Sequence, residues 1–389
     1  PATREPSTAP AILCRHRRGS DPRAQRLTHS VAPVPGDESI VDEGPLTSSE
    51  QWWYDAEGRR VRHLTLTGDS IDYAYTNTGV LGSIRHSRLG EVSLEWDAVG
   101  RLAKLGSPLD QQQRGNTAGF VTSHTSSRGS TTISRDEMGR VLRVSAPYGD
   151  FRYGYDDSGS LTSADGLDGS SRRWVYDTAG RLVTTTCQDA GTSQTCHYDY
   201  DLAGELVSTV TQLGPGDSTV ETHYRYDPCG RRIEAASSDG MREEFRWDSR
   251  GWLAGVMTFR AGRSHEFATH VDAFGCLTDV SGPAGRTPIA WDLATGEPQL
   301  VQVGGIPALP LPDGSVLTPV SADSDQDEPW RRPATDPLDP YTLIQEHLTA
   351  GISMTGGHLG VAGLAWMGAR VYDSTTESFL SLGTLAAPP

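Results

Sequence analysis

WVYDTAGRLVTTT, from Trp174 to Thr186, decides how this chain is read. At its centre, Tyr176-Asp177-x-x-Gly180-Arg181-Leu182 sets a carboxylate beside a guanidinium, which is either a reactive constellation or a folding device. Chemistry needs one copy of such a set, whereas architecture needs many. The pattern returns as Tyr54-Asp55-x-x-Gly58, Trp96-Asp97-x-x-Gly100, Tyr155-Asp156-x-x-Gly159, Tyr200-Asp201-x-x-Gly204, Tyr226-Asp227-x-x-Gly230 and Trp247-Asp248-x-x-Gly251. Degenerate copies at Thr76, Asn116, Asp136, Asp272 and Asp292 complete a series of twelve, 19 to 26 residues apart. So steady a period marks a repeat architecture.

Turn chemistry explains the pattern. Asp at the first corner and Gly at the fourth is the preferred occupancy of a type I turn, and Gly accepts the left-handed conformation of a three-residue hairpin loop with a bulge. Each copy is expected to be a hairpin tip, with Tyr176 opposite Leu182, Val175 opposite Val183, and Asp177 facing Arg181. Exposed pairs of that kind contribute little, so the Arg after Gly reads as solvent-facing and register-setting. An apolar residue two places after Gly recurs as Leu81, Leu102, Val121, Val141, Leu161, Leu182, Leu206, Leu253 and Leu277, which implies one buried layer. Between tips, REEFRWD, ETHYRYD, GDFRYGYD and TCHYDYD alternate apolar and polar residues as half-buried strands do. Helical periodicity is almost absent. The expected fold class is all-β, repeated hairpins stacked so that neighbours bury a face that no single unit can bury.

Composition removes several function classes. Gly (43) and Pro (24) imply many turns without the excess that signals disorder throughout. A formal net charge of −16 argues against a phosphate-backbone binder, so no nucleic-acid partner is expected. The five cysteines form no C-x-x-C pair, and no metal site or cofactor is expected. Cys187 and Cys196 flank a turn-rich segment that offers a disulfide geometry, although the compartment rule favours reduced thiols. No apolar run is long enough for a membrane helix. The opening PATREPSTAP lacks a signal-peptide pattern, and its first residue, Pro rather than Met, suggests a missing upstream portion.

These residues resemble the YD repeats of the Rhs and toxin-complex C proteins of bacteria and the teneurins of animals, over about Trp52 to Leu385. The resemblance implies a spiral YD-repeat β-sheet, here a partial shell with a free edge. It extends to the ending: PQLVQVGGIPALPLP is similar to the connecting segment of actinobacterial Rhs proteins, and WMGARVYDSTTESFLS (366–381) to the Rhs-associated core motif. There Arg370, Tyr372, Asp373 and Phe379 match the core block, as packing and closure residues. Family members carry a C-terminal toxin, and many release it through an aspartyl pair. The first Asp-Pro of that pair falls on Gly383-Thr384 and the second past Pro389, and two carboxylates must share a site to hold one proton. No active protease is therefore expected.

The chain is expected to divide into a disordered or poorly packed arm (1–50), a YD-repeat segment (51–303), a Pro/Asp-rich loop (304–340) and the core segment (341–389). Its expected role is non-enzymatic: a shell segment of a polymorphic toxin system, effector-less here, whose family partners are a toxin effector and secretion machinery. Secretion or cell-surface display follows from the same resemblance. Two alternatives stay open, an autoproteolytic core and an adhesion module whose Tyr and Trp rows stack carbohydrate. Other constellations have bland readings. Asp156-Asp157 and Glu243-Glu244 are neighbours expected from the acidic composition, the run Ala322–Glu328 lacks calcium-loop spacing, and His358 among glycines is neither phosphate cradle nor metal ligand.

Overall fold

The computed structural model describes, short loops apart, residues 50–319 and 346–381, together with 13–15, 25–30 and 330–331. Among the described residues there is no helix, and strand follows strand. The chain divides into two compact units, residues 1–114 with 319–330 and residues 115–318 with 331–389.

In the first unit, the strands Glu50–Tyr54, Arg60–Leu64, Ser70–Tyr75, Leu81–His86, Gly90–Trp96 and Leu102–Gly106 pair antiparallel in sequence order. Trp52, Ile71, Ile84, Val92, Leu94 and Leu105 are buried on one face. His63 joins them, stacked on Trp52 at 5.3 Å, with its Nε2 2.7 Å from Glu50 Oε1, so each supplies the other with a buried polar partner. The expected arm is corrected at two places. Leu13–Arg15 and Gln25–Ser30 are strands, and the second pairs with the first repeat strand, Leu27 opposite Trp52. An edge strand presents unpaired N–H and C=O groups that another segment can take up, and QRLTHS does so. Apart from these strands, residues 1–49 lie outside the described residues.

The second unit is itself a meander, from Phe120–Ser126 through Gly285–Asp292 to Gln299–Val303, each strand antiparallel to the next. One face buries Phe151, Trp174, Tyr198, Tyr224, Phe245, Val256, Val280 and Ile289. The other carries cross-strand ion pairs such as Arg173–Asp165 at 2.6 Å and Arg225–Glu234 at 2.6 Å. This two-sidedness fixes register, since a one-residue slip would exchange the faces.

The repeat tips form as turn chemistry dictates. At the opening stretch, Gly180 N–H donates to Asp177 O at 3.0 Å and Asp177 N–H to Arg181 O at 2.9 Å. Asp177 Oδ1 accepts from the backbone N–H groups of Ala179 and Arg181. Gly180 sits at φ +77°. Tyr176 lies opposite Leu182, as expected, but Val175 pairs with Thr184 rather than Val183. A second irregularity one step in from the loop leaves Val183 as the extra residue, and it recurs at Gly154/Tyr155, Asp199/Tyr200, Arg225/Tyr226 and Arg246/Trp247. Such bulges sharpen local twist.

The loop expected at 304–340 is also corrected in its first half. Ile306–Pro307 pairs back onto Gln299–Val303, and Leu309–Pro310 pairs with Val316–Pro319. Ala308, Leu309, Leu311, Val316 and Leu317 are buried, because the prolines sit between apolar residues that seek the core. Residues 320–329 and 332–345 lie outside the description. The core segment is a meander of six short strands, from Glu346–Thr349 to Ser378–Phe379.

Candidate functional site

The tip residues named from sequence, Asp55, Gly58, Asp97, Gly100, Asp156, Gly159, Asp177, Gly180, Asp201, Gly204, Asp227, Gly230, Asp248 and Gly251, each close a hairpin. They are spread one tip per repeat rather than gathered into a site. At Asp97, Asp156 and Asp177, hydrogen bonds within the turn hold the carboxyl below its ordinary range. For Asp177 these come from the backbone and then the side chain of Arg181.

What links the tips was not read from sequence. At seven tips the aromatic before the first turn residue donates to the backbone carbonyl two places after the Gly of the preceding repeat. Tyr176 Oη reaches Leu161 O at 3.0 Å, Tyr200 Oη reaches Leu182 O at 2.9 Å, and Trp247 Nε1 reaches Arg232 O at 2.7 Å. Tyr75, Trp96, Tyr155 and Trp291 repeat the bond. The Arg after Gly is corrected accordingly. It is not simply solvent-facing, since its guanidinium binds the tip Asp and lies over the next aromatic: Arg140 over Tyr155, Arg181 over Tyr200, and Arg231 over Trp247. Rings and hydroxyls are thus occupied by the wall itself.

The tip at Asp227 departs from the pattern with consequence. In Tyr226-Asp227-Pro228-Cys229-Gly230-Arg231-Arg232, the position that elsewhere carries a buried Leu carries Arg232, which is only 1% exposed. Its guanidinium donates to Asp373 Oδ2 at 2.7 Å, Thr376 Oγ1 at 3.4 Å and Ser378 Oγ at 3.3 Å, and lies over Tyr224 at 4.4 Å. Its backbone N–H donates to Leu380 O at 2.8 Å, while Arg231 and Ser381 form an antiparallel bridge. A buried charge persists only when paired and hydrogen-bonded, and the core segment supplies both conditions. Around it, burial pushes the Tyr224 hydroxyl up to about 12.

The core-block residues therefore meet the repeats here. Asp373 is buried at the end of the strand Arg370–Asp373 and also accepts from Thr376 Oγ1 at 2.9 Å. Tyr372 lies opposite Phe379, rings edge to face at 5.3 Å. Arg370 covers Phe379 from 3.5 Å and donates to Ser381 O. Farther along the same turn, Glu377 sits at φ +48° and accepts from Trp174 Nε1 at 3.0 Å, beside a recess lined by Tyr176, Arg181, Leu182 and Tyr200. The turn between the last two core strands thus spans the repeats that begin at Trp174, Tyr200 and Tyr224. Sequence reading missed Arg232 and Glu377. The available signal was the break at Gly230 plus two, where a charge replaces the apolar residue. Arg60 breaks the same rule and lies over Tyr73 at 4.5 Å.

Other candidates are not brought together. Asp156 serves a tip, and Glu244 pairs with Arg242 on the charged face. Cys187 lies opposite Gln194 and Cys196 opposite Thr185, so the hairpin offsets the thiols and no disulfide joins them. His358 opens the strand His358–Val361, and the acidic run 322–328 lies outside the described residues. Among the described residues, no group of three or more His, Cys, Asp or Glu is placed to hold a metal ion, and no helix is long and apolar enough to cross a membrane.

No family model matches the chain. The probable deoxyribonuclease RhsB of Dickeya dadantii is 28% identical over 229 residues, 53% of this chain and 15% of that protein. Toxin protein Tse5 of Pseudomonas aeruginosa is 29% identical over 210 residues, 51% of this chain and 13% of that protein. Among solved structures, the Photorhabdus luminescens Tc holotoxin pore matches 93% of this chain and 21% of its own, with a TM-score of 0.54 at 13% identity. TcdB2-TccC3 without its hypervariable C-terminal region matches 92% and 22%, with a TM-score of 0.50 at 14% identity. The actinobacterial subtype is not among these findings. In its repeats, its sequence relatives and its fold, the chain is similar to Rhs/YD-repeat proteins.

Proposed function

We propose that this chain is a non-enzymatic wall segment of a toxin-associated Rhs shell, whose sheet encloses a C-terminal effector and whose core block locks the end of the chain onto the wall. The observation that carries this reading is the buried Arg232–Asp373 pair. The chain keeps a charge in its apolar layer at the one tip where residues 373–380 arrive, an arrangement that serves docking rather than turnover. The relatives support a toxin setting, and their nuclease or toxin names are those of much longer proteins. Secretion machinery enters as a partner by the same kinship.

Self-cleavage and carbohydrate adhesion are weaker readings, the first because Gly383-Thr384 stands where the family's Asp-Pro would be. Against the second, the repeat aromatics are already bonded to backbone carbonyls and covered by arginines. The test is to append a protease-sensitive reporter domain after Pro389 and compare its digestion with that of the free domain, alongside intact mass. A protected reporter on an uncut chain is the expected result. Digestion at the rate of the free domain would overturn enclosure, and a mass lower by the reporter would overturn the non-enzymatic reading.

A further inference from the structure

At four tips the Arg after the glycine fills a slot between the tip Asp and the aromatic of the next repeat. Arg59 lies between Asp55 and Tyr75, Arg140 between Asp136 and Tyr155, Arg181 between Asp177 and Tyr200, and Arg231 between Asp227 and Trp247. Each guanidinium is 2.6–2.7 Å from its carboxylate and 4.7–5.7 Å from the ring centre. Register builds the slot: the pairing of Thr184 with His197, carried three residues towards the tips, sets Arg181 level with Tyr200. The pairing of Ser208 with His223 sets Glu205 level with Tyr226 in the same way. Other tips put a neutral residue there, Val80 or Ser160, and the aromatic level with it, Trp96 or Tyr176, still reaches its carbonyl. Tyr226 makes no such bond to Leu206 O, so the step from Asp201 to Tyr226 lacks both the cation and the rung.

Asp201 Oδ1 accepts from the backbone N–H groups of Ala203 and Glu205, and among the described residues neither the Asp201 nor the Glu205 carboxylate has a cationic partner. The arginines of the next tip are committed elsewhere, Arg231 to Asp227 and Arg232 to Asp373, and the Arg232 guanidinium stands 6.0 Å from the centre of the Tyr226 ring. Beside the slot, Leu202 is fully exposed. We propose that this slot is a docking seat for an arginine side chain of a partner protein, its guanidinium bridging Asp201 and Glu205 and lying over Tyr226, with Leu202 as the apolar contact beside it. The four filled slots show that the same geometry takes a guanidinium, and a planar fork that both pairs with carboxylates and stacks on a ring is the property of arginine rather than lysine. A second copy of the chain, itself at −16, is repelled, so the fitting partner is basic. This inference concerns the row of tips and stands whether or not the wall encloses cargo.

NMR titration of the full chain carrying isotopically labelled tyrosine tests it, the Tyr226 resonance being assigned by its loss in Tyr226→Phe. The probe is the peptide acetyl-Gly-Arg-Gly amide, with its neutral citrulline analogue as control. The arginine peptide should shift Tyr226 saturably and the citrulline peptide should not. Glu205→Arg, which fills the slot from within, should weaken binding by about tenfold or more, the scale of one charge-assisted hydrogen bond. Asp157→Arg makes the same change of net charge at an exposed residue of another tip and should leave binding as it is. Equal weakening by both substitutions would reduce the effect to bulk charge, and an equal response to the citrulline peptide would remove the guanidinium from it. A Tyr226 shift that grows as the chain is concentrated without peptide would give the seat to a second copy. Each of these results, like the absence of any shift, overturns the proposal.

Discussion

Two tips of the second unit share a loop and differ in one residue's destination. At Asp177–Leu182 and at Asp227–Arg232 the turn is the same: Gly N–H returns to Asp O at 3.0 Å, and the Asp N–H reaches the following Arg carbonyl at 2.9 Å. Both arginines after the glycine bind their Asp and cover the next aromatic. Two places beyond the glycine they part. Leu182 packs into the wall and offers its carbonyl to Tyr200, whereas Arg232 offers its carbonyl to Trp247 and sends its side chain to the core block. The comparison teaches that loop chemistry is copied along the sheet, while specificity is written at the one position that faces inward.

Arg232→Ala breaks this comparison most severely. It leaves Asp373 buried without its cation, a loss of about 3–5 kcal/mol for a broken buried pair, read as a large fall in denaturation midpoint. Arg232→Leu with Asp373→Leu should recover most of it, because well-packed apolar replacements of buried pairs are often neutral or better. Recovery by Arg232→Leu alone would show that Asp373 does not depend on the guanidinium.

Legibility followed the same division. The repeat period, the turn and the aromatic-to-Leu register at Tyr176–Leu182 depend on local chemistry and were open to sequence reasoning. The Val175–Thr184 pairing was not, because a bulge one step beyond the loop changes no turn residue. Arg232 could have been noticed as a charge in an apolar series, but its partner Asp373 is 141 positions away, a distance over which pattern carries no pairing information. Nor does periodicity reveal Gln25–Ser30, whose polar alternation becomes a strand only because the sheet offers it an edge.

Gly180→Val sharpens the shared half of the comparison. A Cβ there would meet nothing within 4 Å, yet φ is +77°, so its cost is backbone strain alone, about 1–3 kcal/mol for a residue held in a sparsely populated region. The thermal midpoint should fall while the core block stays seated, since the contacts of Arg232 are untouched. A midpoint equal to wild type would contradict the left-handed tip.

The smallest expected effect concerns the Arg after the glycine, and the chain already contains a control for it. At the Tyr200 repeat that position is Glu205, and the loop still closes, with Gly204 N–H to Asp201 O at 3.1 Å and Glu205 N–H to Asp201 Oδ1 at 2.9 Å. The guanidinium is therefore not needed to make the turn. What Glu205 cannot do is neutralise Asp201 or cover the next ring, and burial with the charges of Asp201 and Asp227 raises its carboxyl above the ordinary range. Arg181→Ala should thus lower the melting temperature only slightly, through lost contact with Asp177 and Tyr200, and Glu205→Arg should raise it. If both substitutions moved it in the same direction, the bridge from one tip to the next would not be what this residue contributes.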